Sequence, residues 1–386
     1  AVWAQGVSGV RAWTRAAETM LARRLRHGGR LPALALVGAG TAGMIGLAGA
    51  PEGSRWLLAS TAAPPDVLVI GGTGLMGAPT TRQLQAQGHR VVVMSRGSKS
   101  GQGAGGERPE LAPCELLQCD REDEEAFLRA LSAPGCPRVV VDFTAMRPRH
   151  IEAVLEAHRQ RPLDHYVFIS TNMVYPGGPE DMDVSGLPQP ISEEAVNLEA
   201  ADSAPDTYGG RKLRCERLLQ QAAAEVSLPA TTLRPPAVVG PGCDNRHERL
   251  QRLAAGLRPL PPPRSKRGNA ARPGPFRVAY SEDVAAAACA VVARGRAVHG
   301  ETFNVACAES LTLEQYLAAV ANVLGHEAVP APEDPILRNY EKQGELDVSK
   351  AERLLDFKST AVADWMRETV AWHARRLDSS GFSSAL

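Results

Sequence analysis

The sequence predicts an α/β protein with a doubly wound parallel sheet, a smaller C-terminal lobe, and an apolar helix ahead of both. Two observations predict the sheet. Short apolar, β-branched runs alternate with helical segments, and one of these runs leads directly into a glycine-rich turn. A third observation, about twenty uncharged residues near the start of the chain, predicts the preceding helix. With 44% hydrophobic and 22% charged residues, the 386-residue chain can bury a substantial core.

The charge balance gives no sign of a polyanionic partner. Basic and acidic residues each number 43, so the formal net charge is zero and there is no overall attraction to nucleic acid or anionic membranes. The seven cysteines include no C-x-x-C pair, which favours reduced thiols over a disulfide framework. The nine histidines show no metal-ligand spacing, so no metal site is predicted.

Residues 1–63 differ in composition from the rest of the chain. An arginine-rich beginning is followed by residues 31–51, which carry no charge, and then by a linker rich in Ala and Pro. Three interpretations of the uncharged stretch stay open. It is a membrane helix, a targeting segment resembling a twin-arginine signal, or a buried soluble helix. We take the membrane helix as our prediction.

Two glycine-rich stretches compete as the nucleotide-binding turn. The first, Gly38-x-Gly40-x-x-Gly43, lies inside the uncharged stretch and is not followed by the second strand that a dinucleotide fingerprint needs. The second, residues 71–77, follows the apolar run at 67–70 and leads into a helical segment. We therefore predict that the second stretch binds the nucleotide.

The second glycine turn is expected to hold the diphosphate of a nicotinamide cofactor. Glycines permit the tight turn and close backbone approach, and N–H groups at the helix start face the phosphates. The expected contacts of the turn are Gly71, Thr73, Gly74, Leu75, Met76 and Gly77. Further contacts are expected at the ends of the later strands, from Asp120, Thr144, Ala145 and Pro235.

The end of the next strand predicts which nicotinamide cofactor is bound. An acidic residue there would bind the ribose 2′-hydroxyl of NAD. This chain has Ser95 and Arg96 instead, and a guanidinium suits the 2′-phosphate of NADP. We expect NADP, with NAD as the alternative.

The alternation of strands and helices continues after this point. Strands are predicted over residues 90–97, 114–120, 138–145 and 165–171, and helices over residues 124–132, 149–160 and 207–225. A strand and helix repeated in this way predict the parallel Rossmann sheet.

A candidate catalytic group follows the fifth strand of this series. Tyr208 and Lys212 are four residues apart and so share one face of the predicted helix. An ammonium beside a phenol lowers the pKa of the phenol, and such a tyrosine can exchange a proton with a carbonyl or alcohol. Thr171, at the end of the strand, could bind the same substrate oxygen.

The chain resembles the short-chain dehydrogenase/reductase superfamily in its extended, epimerase/dehydratase-like branch. The resemblance covers about residues 67–372 and rests on the glycine turn, "STNMVYP", "YGGRK", "LRPPAVVGPG" and "FRVAYSEDVAAA". It implies that Thr171, Tyr208 and Lys212 are catalytic. Within that branch the chain looks most similar to the chloroplast stem-loop-binding proteins, some of which bind RNA.

Two departures from the family pattern narrow the function. Asn172 and Met173 stand where sugar dehydratases have an acid and a base, which disfavours elimination of water. Residues 256–277 are basic and rich in proline but lack the aromatic residues that stacking on single strands requires, which disfavours nucleic acid as a partner.

The resemblance and the residues together predict three domains and three classes of function. The domains are an N-terminal segment (1–63), a Rossmann domain (64–240) and a substrate lobe with returning Rossmann elements (241–386). The first function is an NADP-dependent oxidoreductase or epimerase. The second is a nucleotide-binding accessory subunit of a photosynthetic or respiratory membrane complex, and the third is an RNA-binding protein. We expect an organelle membrane location, with the chloroplast thylakoid favoured over the mitochondrial inner membrane.

Overall fold

The computed structural model describes residues 34–37, 44–47, 64–97, 114–175, 187–243, 275–325 and 344–379, with side chains between residues 64 and 375 of those ranges. The chain falls into two compact units, residues 1–63 and residues 64–386. In the first unit, strands β1 (Leu34–Val37) and β2 (Met44–Leu47) pair antiparallel, with Leu34 opposite Leu47.

The prediction of a helix over residues 31–51 is wrong for the eight residues of that stretch that the structure describes, since all eight lie in β1 and β2. The sequence between the strands gives a physical reason. Gly38, Gly40 and Gly43, which lie outside the described residues, would each cost a helix about 1 kcal/mol relative to alanine. Among the described residues, no helix has both the length and the apolar composition to cross a membrane.

The second unit is built on a seven-stranded parallel sheet of order β5-β4-β3-β6-β7-β8-β11. Its strands are β3 (Val67–Ile70), β4 (Val91–Ser95), β5 (Glu115–Gln118), β6 (Val139–Asp142), β7 (His165–Ile169), β8 (Ala230–Arg234) and β11 (Thr302–Asn304). The order runs outward from β3 to β5, then restarts on the other side of β3. The prediction of a doubly wound parallel sheet is therefore confirmed.

Eight α-helices are described, together with a separate parallel pair, β9 (Val238–Val239) and β10 (Ala279–Tyr280). The helices are α1 (Gly77–Ala86), α2 (Glu124–Ser132), α3 (Pro148–Gln160), α4 (Tyr208–Glu225), α5 (Ser281–Arg294), α6 (Leu313–Leu324), α7 (Ser349–Leu355) and α8 (Val362–Ser379). The strands and helices predicted between residues 67 and 225 are confirmed, with ends that differ by up to a few residues.

The central strands of the sheet are buried on both faces, and β3 is apolar at every position, not at alternate ones. Val67 and Val69 pack in one core with α1 and α5, whereas Leu68 and Ile70 pack in a second core with α2, α3 and α4. Successive side chains of a strand point to opposite faces, so four consecutive apolar residues supply both cores. Each such side chain contributes about 1.5–3 kcal/mol on burial.

A third core lies outside the sheet, between α6 and α8. Trp365 and Tyr316 are its largest buried side chains, and their rings lie 6.2 Å apart. Helix α6 begins with a capping box in which the Thr312 hydroxyl accepts from the Gln315 N–H and the Gln315 amide accepts from the Thr312 N–H. Strand β11 returns to the sheet from this later part of the chain, and the proposed boundary at residue 240 stays a prediction.

Candidate functional site: a nucleotide crevice beside a buried lysine

The glycine turn joins β3 to α1 by very close packing. Gly71 has φ +81°, a conformation that favours glycine, and a Cβ added there would lie 2.6 Å from Thr144 Cγ2. A Cβ at Gly77 would lie 2.1 Å from the Gly71 carbonyl oxygen. Two positions of the turn therefore have no room for a side chain, as expected where a helix start must approach a strand end.

Backbone hydrogen bonds bring the ends of four neighbouring strands to this turn. The Gly71 N–H donates to the Met94 carbonyl at 3.0 Å, and the Cys119 N–H donates to the Ser95 carbonyl at 2.9 Å. On the other side of β3, the Phe143 N–H donates to the Ile70 carbonyl at 3.1 Å. The predicted cofactor contacts Gly71, Ser95, Asp120 and Thr144 therefore lie along one edge of the sheet, at its carboxyl end.

Two predicted cofactor contacts are exposed at this edge. Arg96 is exposed, and its guanidinium makes no hydrogen bond or ion pair with any described residue. Asp120 is also exposed and accepts a hydrogen bond from the Glu122 N–H. Pro235 is buried farther along the edge, where its carbonyl accepts from the Asn172 N–H at 3.0 Å.

These residues fit a nicotinamide dinucleotide. The glycine turn and the start of α1 would hold the diphosphate, since Gly71, Gly74 and Gly77 carry no side chain and Thr73 to Met76 are only partly buried. The exposed guanidinium of Arg96 would hold a 2′-phosphate. Thr144, partly buried beside Gly71, would line the crevice.

A buried ion pair that the sequence did not reveal lies under this crevice. Arg121 Nη1 donates to both carboxylate oxygens of Asp142, at 2.8 and 2.9 Å, and to Thr144 Oγ1 at 2.8 Å. Asp142 is fully buried and also accepts from the Tyr166 hydroxyl at 2.9 Å. Burial raises the pKa of Asp142, but Arg121 and the hydrogen bonds outweigh burial and hold it below its usual value.

The same carboxylate fixes the backbone of the crevice. Asp142 Oδ1 accepts from the N–H groups of Thr144, at 2.8 Å, and Ala145, at 3.0 Å. The carbonyl of Ala145 in turn accepts from Lys212 Nζ at 2.7 Å, and Lys212 also donates to the Ile169 carbonyl at 2.6 Å. Ala145 therefore connects the carboxylate under the crevice to the lysine of helix α4.

Lys212 is charged but deeply buried. Its side chain is 1% exposed, and burial lowers its pKa to about 8. Its ammonium lies 4.6 Å from the Phe168 ring centre and 5.9 Å from the Tyr208 ring centre. Two carbonyl oxygens and two aromatic rings surround the ammonium. They stabilise its charged form and so oppose the effect of burial on the pKa.

Tyr208 begins helix α4 beside Thr171, so two of the predicted catalytic residues are brought together. Burial raises the pKa of Tyr208, while a hydrogen bond from the Thr171 side chain acts in the opposite direction. The sequence led us to expect that Lys212 lowers the phenol pKa. The structure differs, because Lys212 directs its hydrogen bonds to the carbonyls of Ala145 and Ile169.

A second buried polar cluster, also missed in the sequence, lies next to Thr171. Glu216 of α4 accepts from Ser170 Oγ at 2.5 Å and pairs with Arg234 at 2.5 Å. Arg234 donates onward to the Tyr175 hydroxyl at 3.1 Å, and that hydroxyl donates to Asn304 Oδ1 at 2.5 Å. The sequence signal was weak, since each residue belongs to a different element and the last contact spans 129 positions.

Metal binding finds no support in the part of the chain that the structure describes. No group of three or more His, Cys, Asp or Glu side chains there is arranged to hold a metal ion. The buried His158 has a backbone role, since its Nδ1 accepts from the Leu163 N–H at 3.0 Å.

The chain belongs to the NAD dependent epimerase/dehydratase family, whose model matches residues 67–306. This range contains the glycine turn, the Arg121–Asp142 pair and the Tyr208–Lys212 pair. The expected membership of the epimerase/dehydratase branch is thus confirmed, and with it the coarse expectation of a nicotinamide nucleotide as ligand.

The chain is also similar to individual proteins, one in sequence and others in fold. The chain is 27% identical over 330 residues to the chloroplast stem-loop binding protein of 41 kDa b of Arabidopsis thaliana, covering 83% of this chain and 78% of that protein. Its fold is similar to UDP-glucose 4-epimerase of Thermotoga maritima (TM-score 0.60, 20% identity, 81% and 99% of the two chains). It is also similar to the NAD complex of UDP-glucose 4-epimerase of Thermus thermophilus (TM-score 0.59, 22% identity, 80% and 99% covered).

Proposed function

We propose that this protein is an NADP-dependent oxidoreductase or epimerase. The observation that carries the proposal is the position of Lys212, whose ammonium bonds to Ala145 at the edge of the crevice and to Ile169 at the end of β7. The lysine thereby ties the start of helix α4, with Tyr208, to the strand ends that border the glycine turn.

Each residue has a distinct role in this proposal. Tyr208 exchanges a proton with the substrate carbonyl or alcohol through its hydroxyl, and Thr171 donates a hydrogen bond to that hydroxyl or to the substrate oxygen. Lys212 holds the crevice backbone and supplies a positive charge on the phenol side of the site. The chemistry that a bound nicotinamide cofactor supplies is hydride transfer. Elimination of water is not proposed, because Asn172 and Met173 offer no acid or base.

Catalysis is tested with the Tyr208→Phe variant. The substitution removes the hydroxyl and leaves the ring that packs near Lys212, so we expect NADPH binding to be retained and turnover to fall about 10²–10⁴-fold. NADPH oxidation is followed with a panel of small aldehydes, ketones and nucleotide sugars. The control is Tyr316→Phe, in the third core far along the chain. Turnover that survives in Tyr208→Phe would contradict the assignment of the proton donor.

The preference for NADP is tested at Arg96. We expect Arg96→Gln to weaken NADPH binding about tenfold or more and to leave NADH binding unchanged, because only NADPH carries the 2′-phosphate. Fluorescence titration measures both affinities. Arg129→Gln, which removes an exposed guanidinium of α2, is the matched control. Equal losses for NADPH and NADH would refute the role of Arg96.

A second candidate function is a nucleotide-binding subunit without turnover. It is favoured by the burial of Tyr208, which raises the phenol pKa, and by the hydrogen bonds that direct Lys212 away from it. In this form the protein would be an accessory subunit of an organellar membrane complex, in the chloroplast thylakoid or else the mitochondrial inner membrane. The name of the chloroplast relative supports that placement. Native membranes that yield the protein in a large complex, with NADPH bound and no turnover, would favour this function.

RNA binding is a third candidate, which the name of the Arabidopsis relative supports. The net charge of zero does not favour it. An RNA hairpin that binds in physiological salt with submicromolar affinity, in the absence of NADPH turnover, would replace the first proposal with this one.

A further inference from the structure

A second cluster of positive charge lies away from the glycine turn, between the starts of helices α3 and α4. It surrounds a cavity of about 430 Å³, within the range of about 300–1,000 Å³ typical of small-molecule sites. The lining residues are Arg147, Pro148, Arg149, Asp206, Arg211 and Arg214. We call this cavity the arginine cleft. It shares no residue with the glycine turn.

The charges of the arginine cleft are not balanced by its own residues. Arg211 and Arg214 both approach the single carboxylate of Asp206, at 3.2 and 3.3 Å. Arg149 pairs outside the cleft with Glu122 and Glu124.

The guanidinium of Arg147 makes no hydrogen bond or ion pair with any described residue, and the residue is exposed. Three guanidinium groups (Arg147, Arg211 and Arg214) therefore face one carboxylate, in a chain whose net charge is zero.

The helix at this cleft adds to the imbalance. The first turn of α3 contains no acidic residue and its N-cap residue, Arg147, gives no side-chain cap. Helix α2 is built the opposite way, with Asp123 as a side-chain cap and Glu124 and Glu125 in its first turn. A helix start carries partial positive charge and is stabilised by anions. The carboxylate of Glu122 offsets this charge on the side of Arg149 and His150, and Arg147 adds to it on the side of the cleft.

We propose that the arginine cleft binds the phosphate group of a small phosphorylated molecule, such as a phosphate monoester or a diphosphate. Guanidinium groups bind phosphate oxygens in pairs, and the N-terminal end of α3 adds its positive end. Asp206 holds Arg211 and Arg214 in position and leaves Arg147 to close on the ligand. The site is independent of turnover and of the glycine turn.

The test is calorimetric titration of the full chain with inorganic pyrophosphate. Arg147→Gln is the principal variant, because Arg147 makes no bonds to described residues that the change would break. We expect it to weaken binding about 10-fold, and the double variant Arg147→Gln/Arg214→Gln about 100-fold. Arg159→Gln is the matched control, since Arg159 lies on the same helix but pairs with Glu156 near its other end, and it should bind as the wild type does.

The comparison between variants separates this site from the others. Pyrophosphate that enters the glycine turn does so equally in all four proteins, so only the differences among them report on the arginine cleft. Circular dichroism and the melting temperature establish that the double variant is folded, and the single variant decides the question if it is not. Equal affinities of Arg147→Gln and Arg159→Gln would overturn the proposal, as would binding of an RNA hairpin without binding of pyrophosphate. NADPH titrations test the proposed function separately.

Discussion

Two buried ion pairs lie at the carboxyl end of the sheet, one on each side of the predicted catalytic residues, and they are used differently. Asp142 gives its acceptor sites to Arg121 and to backbone N–H groups, and so fixes the crevice beside the glycine turn. Glu216 gives its sites to Arg234 and Ser170, and Arg234 then bonds to Tyr175. The first pair shapes a ligand site, whereas the second joins helix α4 to the later part of the chain.

The comparison shows that a buried carboxylate–guanidinium pair positions the crevice backbone in one half of the sheet and holds separate elements together in the other half. The first half comprises strands β5, β4, β3 and β6, and the second half comprises β7, β8 and β11. Residues of the second pair connect through Tyr175 to Asn304, which also donates to the carbonyls of Ile191, at 2.9 Å, and Asp347, at 3.1 Å. Removal of the Glu216–Arg234 pair should therefore destabilise several elements together.

The largest effect is expected when either carboxylate is neutralised. Asp142→Asn and Glu216→Gln each leave a buried guanidinium without its counter-charge, which costs about 3–5 kcal/mol in the free energy of unfolding. Only Asp142→Asn should also weaken NADPH binding, about tenfold or more, since only Asp142 holds the crevice backbone. Urea unfolding and fluorescence titration measure the two quantities.

The control for this pair of variants is Glu125→Gln, whose partner Arg129 is exposed, and we expect a change of at most about 0.5 kcal/mol. A loss of NADPH affinity in Glu216→Gln as large as that in Asp142→Asn would contradict the distinct roles of the two ion pairs.

A somewhat smaller effect, dependent on pH, is expected from a buried histidine of the second half. His165 of β7 donates from Nε2 to Thr231 Oγ1 at 2.8 Å, and its buried Nδ1 has no partner among the described residues. Burial, with a contribution from nearby His299, lowers the pKa of His165 to about 4. Below pH 6.5 the unfolded chain binds a proton that the folded chain refuses, so stability falls between pH 6.5 and pH 4, by about 3 kcal/mol.

His165→Gln should reduce the loss of stability between pH 6.5 and pH 4, and the smaller loss that remains comes from His150 and His299, whose pKa values burial also lowers. Urea unfolding at half-unit pH steps provides the measurement. In the first half, the lowered pKa of Asp142 places the matching loss of stability at lower pH, below pH 3.8. A wild-type profile that is flat from pH 6.5 to pH 4 would remove His165 from the explanation.

The smallest effects are expected at two helix caps, one in each region. Asp123 caps α2 by accepting from the Ala126 N–H at 3.0 Å, and Thr312 caps α6 by accepting from the Gln315 N–H at 3.2 Å. Replacing either residue by alanine should cost about 1 kcal/mol. Thermal unfolding measures both, with Ser203→Ala at an exposed turn as control. Asp123→Ala and Thr312→Ala variants that unfold at the wild-type temperature would show that cap contributions are not felt in either region.

Much of the sheet could be predicted from the sequence because its signals are local. A fully apolar strand such as residues 67–70, followed by a glycine turn, reports burial on both faces and a helix start within a few residues. The placement of Thr171, Tyr208 and Lys212 on adjoining elements also followed from spacing and resemblance. The prediction of a helix over residues 31–51 was wrong for the residues described there, because lack of charge indicates burial but not the type of backbone structure.

The two ion pairs and the arginine cleft could not be predicted in the same way. Arg121 and Asp142 are 21 positions apart, and Glu216 and Arg234 are 18 apart, with no periodicity to connect them. Nor does the sequence state that the starts of α3 and α4 face one cavity. These sites form because the order of strands in the sheet places residues that are distant in the sequence next to one another.

The backbone of Ala145 is held at both of its polar groups, by a carboxylate on its N–H and by an ammonium on its carbonyl. A shift of that backbone when the crevice fills would alter the proton affinity of an amine several ångströms from the ligand. Lys212, with a pKa of about 8, would then take up or release a fraction of a proton as ligand binds near neutral pH. The measured heat of nucleotide binding would therefore depend on the ionisation enthalpy of the buffer.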